Sequence, residues 1–315
     1  MFTRSATLTQ NLYLFFMILV IAVLTFGGCA SDGNEDDSAT VSLITDATAD
    51  NSFSSGGETR TYRLYVPDGI TDDAPLVFVL HGYGGIAANL TWTKMSTAAD
   101  QYGFAVVYPQ ALEEDDGTPR WQSGRSTDTS IDVDYLTALA HFLQSELSLS
   151  TEHTFVTGIS NGGDMSYRLA CEGSDVFKAA APVAGCMFEL LRDSCSPADP
   201  PPILEIHGTA DGITLWDGDP DYADGLEPYL GTLDVIDFWQ QQNDCTPTST
   251  ETLPDTDTTD GSTVEVIKCT GGTNGNEVWL YKVIGGEHWW PGVSGSMDFD
   301  STETIWSFFS LQISD

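Results

Sequence analysis

Gly158-Ile159-Ser160-Asn161-Gly162 lies between a β-rich run, Thr154-Phe155-Val156-Thr157, and a helical pattern, Gly163-Asp164-Met165-Ser166-Tyr167-Arg168-Leu169-Ala170-Cys171. A strand that turns sharply through a serine into a helix has the layout of a nucleophile elbow. Such a turn strains the serine backbone and admits only small residues two positions to either side. It lifts the Ser160 hydroxyl clear of the sheet and points the next backbone N–H at the same spot. A lone G-x-S-x-G is a common coincidence in a chain with 30 glycines, so its weight comes from context. A serine becomes a nucleophile only with a base and a buried acid beside it.

Working outward, the apolar run 75–80 ends at His81-Gly82 and predicts a buried central strand. Runs at 104–108, 154–159, 179–184, 203–206 and 279–283 predict further strands, and the alternating run 60–66 predicts an edge strand. Helical spacing covers 131–147, 233–241 and 304–311. Strands alternating with helices predict an α/β fold, a doubly wound, mostly parallel sheet flanked by helices. Right-handed crossovers then bring the strand C-termini to one edge, where loops can build a site. The polar stretch 246–263 reads as a loop. Its Asp255, Asp257, Asp260 and Gly261 hint at calcium, but the spacing is not that of an EF-hand, and no metal is expected.

Downstream of Ser160, the run 202–206 leads through His207-Gly208-Thr209-Ala210 to Asp211, which reaches the same sheet edge. Asp217 and Asp219 are the substitutes for this acid. The last predicted strand leads through Gly285-Gly286-Glu287 to His288, the one histidine after Asp211. The order Ser160, Asp211, His288 is that of a strand-to-helix elbow triad. His288 would take and return the serine proton, and Asp211 would fix its tautomer. The Asn161 N–H and a donor after His81-Gly82, best Tyr83, would form the oxyanion hole. His81 and His207 read as structural. Trp121, Trp216, Trp289 and Trp290 fall in predicted loops and are candidate substrate-binding aromatics, with core packing the competing reading. Ester cleavage by such a triad needs no cofactor.

The 315 residues suit one large domain, and 11 Lys and Arg against 47 Asp and Glu give a net charge of −36. That surface repels nucleic acid and anionic lipid headgroups, which excludes both as partners. Arg4, the apolar run 12–26 and Gly27-Gly28-Cys29 describe an export signal. A cysteine after the small pair resembles a bacterial lipobox, with Cys29 lipidated, although Phe26 stands where leucine is usual. The expected organisation is a signal peptide at 1–28, a flexible acidic tether at 29–58 and a catalytic domain at 59–315. The protein is then exported, secreted or held at the cell envelope through its lipid alone, and monomeric. Export permits disulfides. Cys245 and Cys269, flanking the polar loop, are the preferred pair. Cys171, Cys186 and Cys195 would supply one more bridge and one free thiol.

The chain resembles the secreted polyhydroxybutyrate depolymerase and feruloyl esterase group of α/β-hydrolases. The matching pieces are V-L-H-G-Y-G-G (79–85), V-V-Y-P-Q (106–110), D-V-D-Y-L (132–136), G-I-S-N-G-G (158–163), A-P-V-A-G (181–185), I-H-G-T-A-D (206–211) and G-G-E-H-W-W-P-G (285–292). The resemblance spans about 60–312 and implies the α/β-hydrolase fold, with the same triad roles on Ser160, Asp211 and His288. Glu287 and Trp289 depart from its usual smaller or uncharged residues. No polymer-binding appendage follows, so tight polymer adsorption is not expected. The implied substrates are hydroxycinnamate esters on polysaccharide or short polyhydroxyalkanoates. A non-catalytic surface lipoprotein on a hydrolase scaffold and a peptidase of the same fold are the alternatives.

Overall fold

The computed structural model describes residues 42–220 and 227–313. The signal segment, Cys29 and the first part of the tether lie outside the described residues. Ten strands form one sheet: β1 Asn51–Ser55, β2 Glu58–Tyr65, β3 Leu76–Leu80, β4 Ala105–Pro109, β5 Thr154–Ile159, β6 Ala179–Val183, β7 Ile203–Gly208, β8 Thr246–Thr252, β9 Thr263–Thr270 and β10 Val278–Ile284. Six helices join them: α1 Met95–Tyr102, α2 Ile131–Leu147, α3 Asn161–Glu172, α4 Glu189–Ser194, α5 Thr232–Gln242 and α6 Ser301–Ser310. The spatial order is β1-β2-β4-β3-β5-β6-β7-β10-β9-β8. The six strands from β4 to β10 run parallel, and the pairs at either margin are antiparallel. The alternation of elements predicted the mostly parallel sheet, and this is the α/β-hydrolase fold that the resemblance implied.

Strand side chains alternate between faces, so a strand covered on both sides reads as a continuous apolar run. In β3, Leu76, Phe78 and Leu80 pack with α2, α3 and α5, while Val77 and Val79 pack with α1 and α6 on the other face. All five are fully buried, each contributing roughly 1.5–3 kcal/mol of transfer free energy. The 3₁₀ turn Ala87–Thr93 feeds α1, which ends where Gly103 takes φ 79°. Helix α6 begins at Ser301, earlier than its apolar spacing shows, because Asp300 caps it through the N–H groups of Thr302 (2.9 Å) and Glu303 (3.2 Å).

Three expectations need correction. Residues 42–58 do not all belong to a tether: Asn51 exchanges two 2.8 Å bonds with the Ile44 backbone, and Phe53 packs on Phe142 with 5.0 Å between centroids. The strand read at 60–66 is not an edge, because β1 pairs outside it. The stretch 246–263 is not all loop: β8 pairs with β9 although every β8 side chain is exposed. Backbone pairing and the Cys245–Cys269 disulfide hold this polar strand, so no hydrophobic alternation marks it. A second bridge joins Cys171 to Cys195, and Cys186 is a buried thiol. No helix among the described residues is long and apolar enough to cross a membrane.

Candidate active site

The loops after β3, β5, β7 and β10 share one edge because those strands are parallel. Ser160 sits between β5 and α3 at φ 57°, ψ −126°. A non-glycine residue held there costs about 1–3 kcal/mol, so the surroundings must impose it. They do so through its backbone: Ser160 N–H donates to Val183 O and Asp164 N–H donates to Ser160 O, both at 2.9 Å. The flanking glycines are steric necessities. A Cβ on Gly158 would lie 2.6 Å from the Gly162 carbonyl and 2.8 Å from Leu80 Cβ, and one on Gly162 would strike the Leu80 carbonyl oxygen.

Asp211 follows β7, and its side chain is sealed from solvent. Oδ1 accepts from the N–H groups of Ile213 (2.8 Å) and Thr214 (2.9 Å), leaving Oδ2 to accept from His288 Nδ1 at 2.7 Å. His288, beyond β10, keeps 15% of its side-chain surface exposed, so the acid is dry and the imidazole meets solvent. A carboxylate that fixes Nδ1–H leaves Nε2 unprotonated and able to accept a proton.

Beneath Asp211 lies a buried trio, of which the sequence reading singled out only His207, as structural. His207 Nδ1 donates to Glu205 Oε1 at 2.8 Å, Nε2 donates to Thr214 O at 2.9 Å, and Tyr167 donates to Glu205 Oε2 at 2.7 Å. Burial disfavours the imidazolium, but the hydrogen bond and charge of Glu205 outweigh it and raise the His207 pKa. With both nitrogens donating, His207 clamps the Thr214 end of the loop that positions Asp211. The available signal was a glutamate inside the apolar strand Ile203-Leu204-Glu205-Ile206, two residues from a histidine and so on the same face.

His81 is structural, with a definite tautomer. Ala111 N–H donates to Nε2 at 3.1 Å, so the proton lies on Nδ1, which donates to Gly82 O at 2.8 Å. Burial lowers the His81 pKa and keeps the ring neutral. This bond anchors the loop that carries Tyr83. Asn161 is fixed by its side chain, which accepts from Trp121 N–H at 2.8 Å and donates to Ser123 Oγ at 3.1 Å. Its own N–H, in the first turn of α3, has no acceptor within the helix.

Tyr83, Ser160 and Asn161 line a cavity of about 370 Å³ with Glu114, Arg125, Asp164, Cys186, Phe188, Ile213, Thr214 and Tyr229. None of the four candidate tryptophans lines it. Trp121 is fully buried, and its indole N–H donates to His81 O at 3.0 Å, so it braces the loop from below. Trp290 is fully buried and donates to Thr302 Oγ1 at 3.1 Å. Trp216 packs edge-on against His207 at 5.9 Å, behind the acid. Trp289 is exposed, with its indole N–H 3.3 Å from Glu287 Oε2. The aromatics that do line the cavity are Tyr83, Phe188 and Tyr229, which loops far apart in sequence bring together. On one wall, burial pushes the Asp164 pKa up to about 6, against hydrogen bonds from Cys186 and the charge of Arg125.

The acidic loop holds no metal-binding cluster: among the described residues, no three His, Cys, Asp or Glu side chains are placed for an ion. Asp257 accepts from Thr259, Asp260 from Ser262 and Met297, and Asp298 from Thr256. Asp257 and Asp260 close turns, and Asp260 and Asp298 tie this loop to the segment before α6.

Residues 60–221 match the family described as esterase PHB depolymerase. The chain belongs to that family. Among curated relatives, "Putative esterase NocK" of Nocardia uniformis subsp. tsuyamanensis is 29% identical over 75% of this chain and 72% of its own length. Feruloyl esterase B of Piromyces equi is 28% identical over 73% of this chain and 42% of its own length, so this chain spans less than half of that relative. An acetyl xylan esterase from Aspergillus awamori shares the fold, with a TM-score of 0.57 at 15% identity over 80% of this chain and 94% of that one. This esterase PHB depolymerase family member is a carboxylic ester hydrolase.

Proposed function

We propose that the chain is an exported esterase that cleaves carboxylic esters through an acyl-enzyme on Ser160. The observation that carries this is the Asp211–His288 bond at 2.7 Å on the sheet edge that also presents Ser160. In the proposed reaction, His288 Nε2 takes the hydroxyl proton as Ser160 Oγ attacks the ester carbonyl, and the Asn161 and Tyr83 backbone N–H groups hold the oxyanion. The tetrahedral intermediate collapses, the His288 imidazolium protonates the departing alkoxide, and the acyl group stays on Oγ. Water repeats the cycle and frees the acid. Asp211 orients His288 throughout.

The aromatic lining by Tyr83, Phe188 and Tyr229 favours an aromatic acyl group such as a hydroxycinnamate over an aliphatic polyester, in keeping with the feruloyl esterase among its relatives. The test compares kcat/KM on methyl ferulate and methyl butyrate with clearing of a polyhydroxybutyrate suspension. Methyl ferulate should win by about 10-fold or more, since stacking adds to burial. Clearing of the polymer without ferulate turnover would transfer the assignment to polyesters, and inertness toward all three would overturn it.

The proposed location is the cell envelope, through a lipid on Cys29. Cys29→Ser should shift the protein from the membrane fraction to the soluble fraction, read by immunoblot. Unchanged membrane association would remove the lipid anchor from this account.

A further inference from the structure

Arg125 stands in the substrate cavity without an acid of its own. Every other arginine among the described residues has a carboxylate partner: Arg60 has Asp132, Arg63 has Asp50, Arg120 has Glu114 and Asp128, Arg168 has Glu172, and Arg192 has Asp193. In a chain with 47 acidic side chains, one guanidinium without a carboxylate partner on the wall of a cavity stands out. Its Nε is buried and has no hydrogen-bond partner. A buried charged donor without an acceptor is destabilising, and a bound anion relieves it.

The neighbouring acids are already committed. Asp128 accepts from two Arg120 nitrogens at 2.7 and 3.3 Å and from the backbone N–H groups of Gly124 (3.1 Å) and Arg125 (3.0 Å). Glu114, on the cavity wall, accepts from Arg120 Nε at 2.6 Å. Asp164, also on the wall, accepts from Cys186 N–H at 2.7 Å and feels the charge of Arg125 without bonding to it. The Arg125 guanidinium rests over the Phe188 ring, 5.6 Å from its centroid, so its direction is set before any ligand arrives. A planar fork held in this way matches a carboxylate in two-point geometry.

We propose that Arg125 is a specificity-determining residue that receives a carboxylate carried by the substrate in addition to its scissile ester. This rests on the reading of the cavity as the ester-binding site and names a substrate class for it: esters with a free acid group. Such a group occurs on the acyl side in a dicarboxylic half-ester, and on the alcohol side in an ester of a carboxyl-bearing phenol or alcohol. The acids on the wall, Glu114 and Asp164, would hold the anion to the Arg125 side.

Two substrate pairs separate these sources. The first is p-nitrophenyl hydrogen adipate with its methyl ester, and the second is para-carboxyphenyl butyrate with its methyl ester. In the wild type, the acid member of one pair should have the higher kcat/KM. In Arg125→Met the acid-to-neutral ratio should fall about 10-fold or more, chiefly through KM, because a hydrogen bond to a charged group is lost. Arg125→Lys should keep part of the preference, and thermal unfolding checks that both variants fold. Ratios unchanged in both pairs would overturn the proposal while leaving the esterase reading intact. A second readout is independent of turnover: calorimetric titration of Ser160→Ala with each acid, repeated in the Ser160→Ala, Arg125→Met double variant. Affinity should drop about 10-fold for the acid that Arg125 receives. Equal affinities for both acids would refute the anion site even if no ester were hydrolysed, and failure to hydrolyse the neutral esters would count against the esterase reading alone.

Discussion

Ser160→Ala should lower kcat for simple esters by on the order of 10⁶-fold while leaving the protein folded. The elbow is held through its backbone, with Ser160 N–H on Val183 O and Asp164 N–H on Ser160 O. Alanine also carries a Cβ, so it occupies the same φ of 57° with the same strain. The substitution therefore removes the hydroxyl and nothing that supports the turn. Stopped assays on p-nitrophenyl butyrate, paired with thermal unfolding, separate the two quantities. Activity within 10-fold of the wild type would displace Ser160 as the nucleophile, and a variant that lost its fold would overturn the account of a turn held through its backbone.

Asp211→Asn should cost on the order of 10⁴-fold in kcat, by a different route. The Ile213 and Thr214 N–H groups both point at Oδ1 and select the carbonyl oxygen of an asparagine for that position. The NH₂ group then lands at the place of Oδ2, facing His288 Nδ1, and two donors cannot face each other. Nδ1 must lose its proton, the proton moves to Nε2, and the imidazole presents the wrong nitrogen to the serine. Crystallography should find the ring in place, and kinetics should find it unable to act as a base. Asp217, the substitute acid considered from sequence, would be implicated by an Asp211→Asn enzyme that kept most of its rate.

Where burial is continuous, the sequence was legible. Helix α2 and strand β5 follow their apolar patterns residue for residue, because each is packed along its length. The positions of Ser160, Asp211 and His288 were legible as well, because strand-end loops in a parallel sheet share one edge. Elements held by other means were not. Helix α1, Met95–Tyr102, carries a weak apolar stripe and is bounded by backbone geometry at Lys94 and Gly103. Strand β8 relies on pairing and a disulfide, and β1 on the Asn51 side chain. The lining of the cavity was the least legible part. Phe188, Ile213 and Tyr229 carry no local motif, and their convergence is a property of the fold. The tryptophans were ambiguous because a large aromatic near a catalytic loop serves equally well as the brace beneath it, as Trp121 does under His81.

The contact of Gly162 with the Leu80 and His81 carbonyls has an evolutionary corollary. It seats the nucleophile turn directly on the strand that carries the oxyanion loop, so neither can shift without the other giving way. Diversification of substrate range in descendants of this scaffold is thereby channelled into cavity side chains such as Arg125 and Phe188, which hold none of the catalytic groups in place.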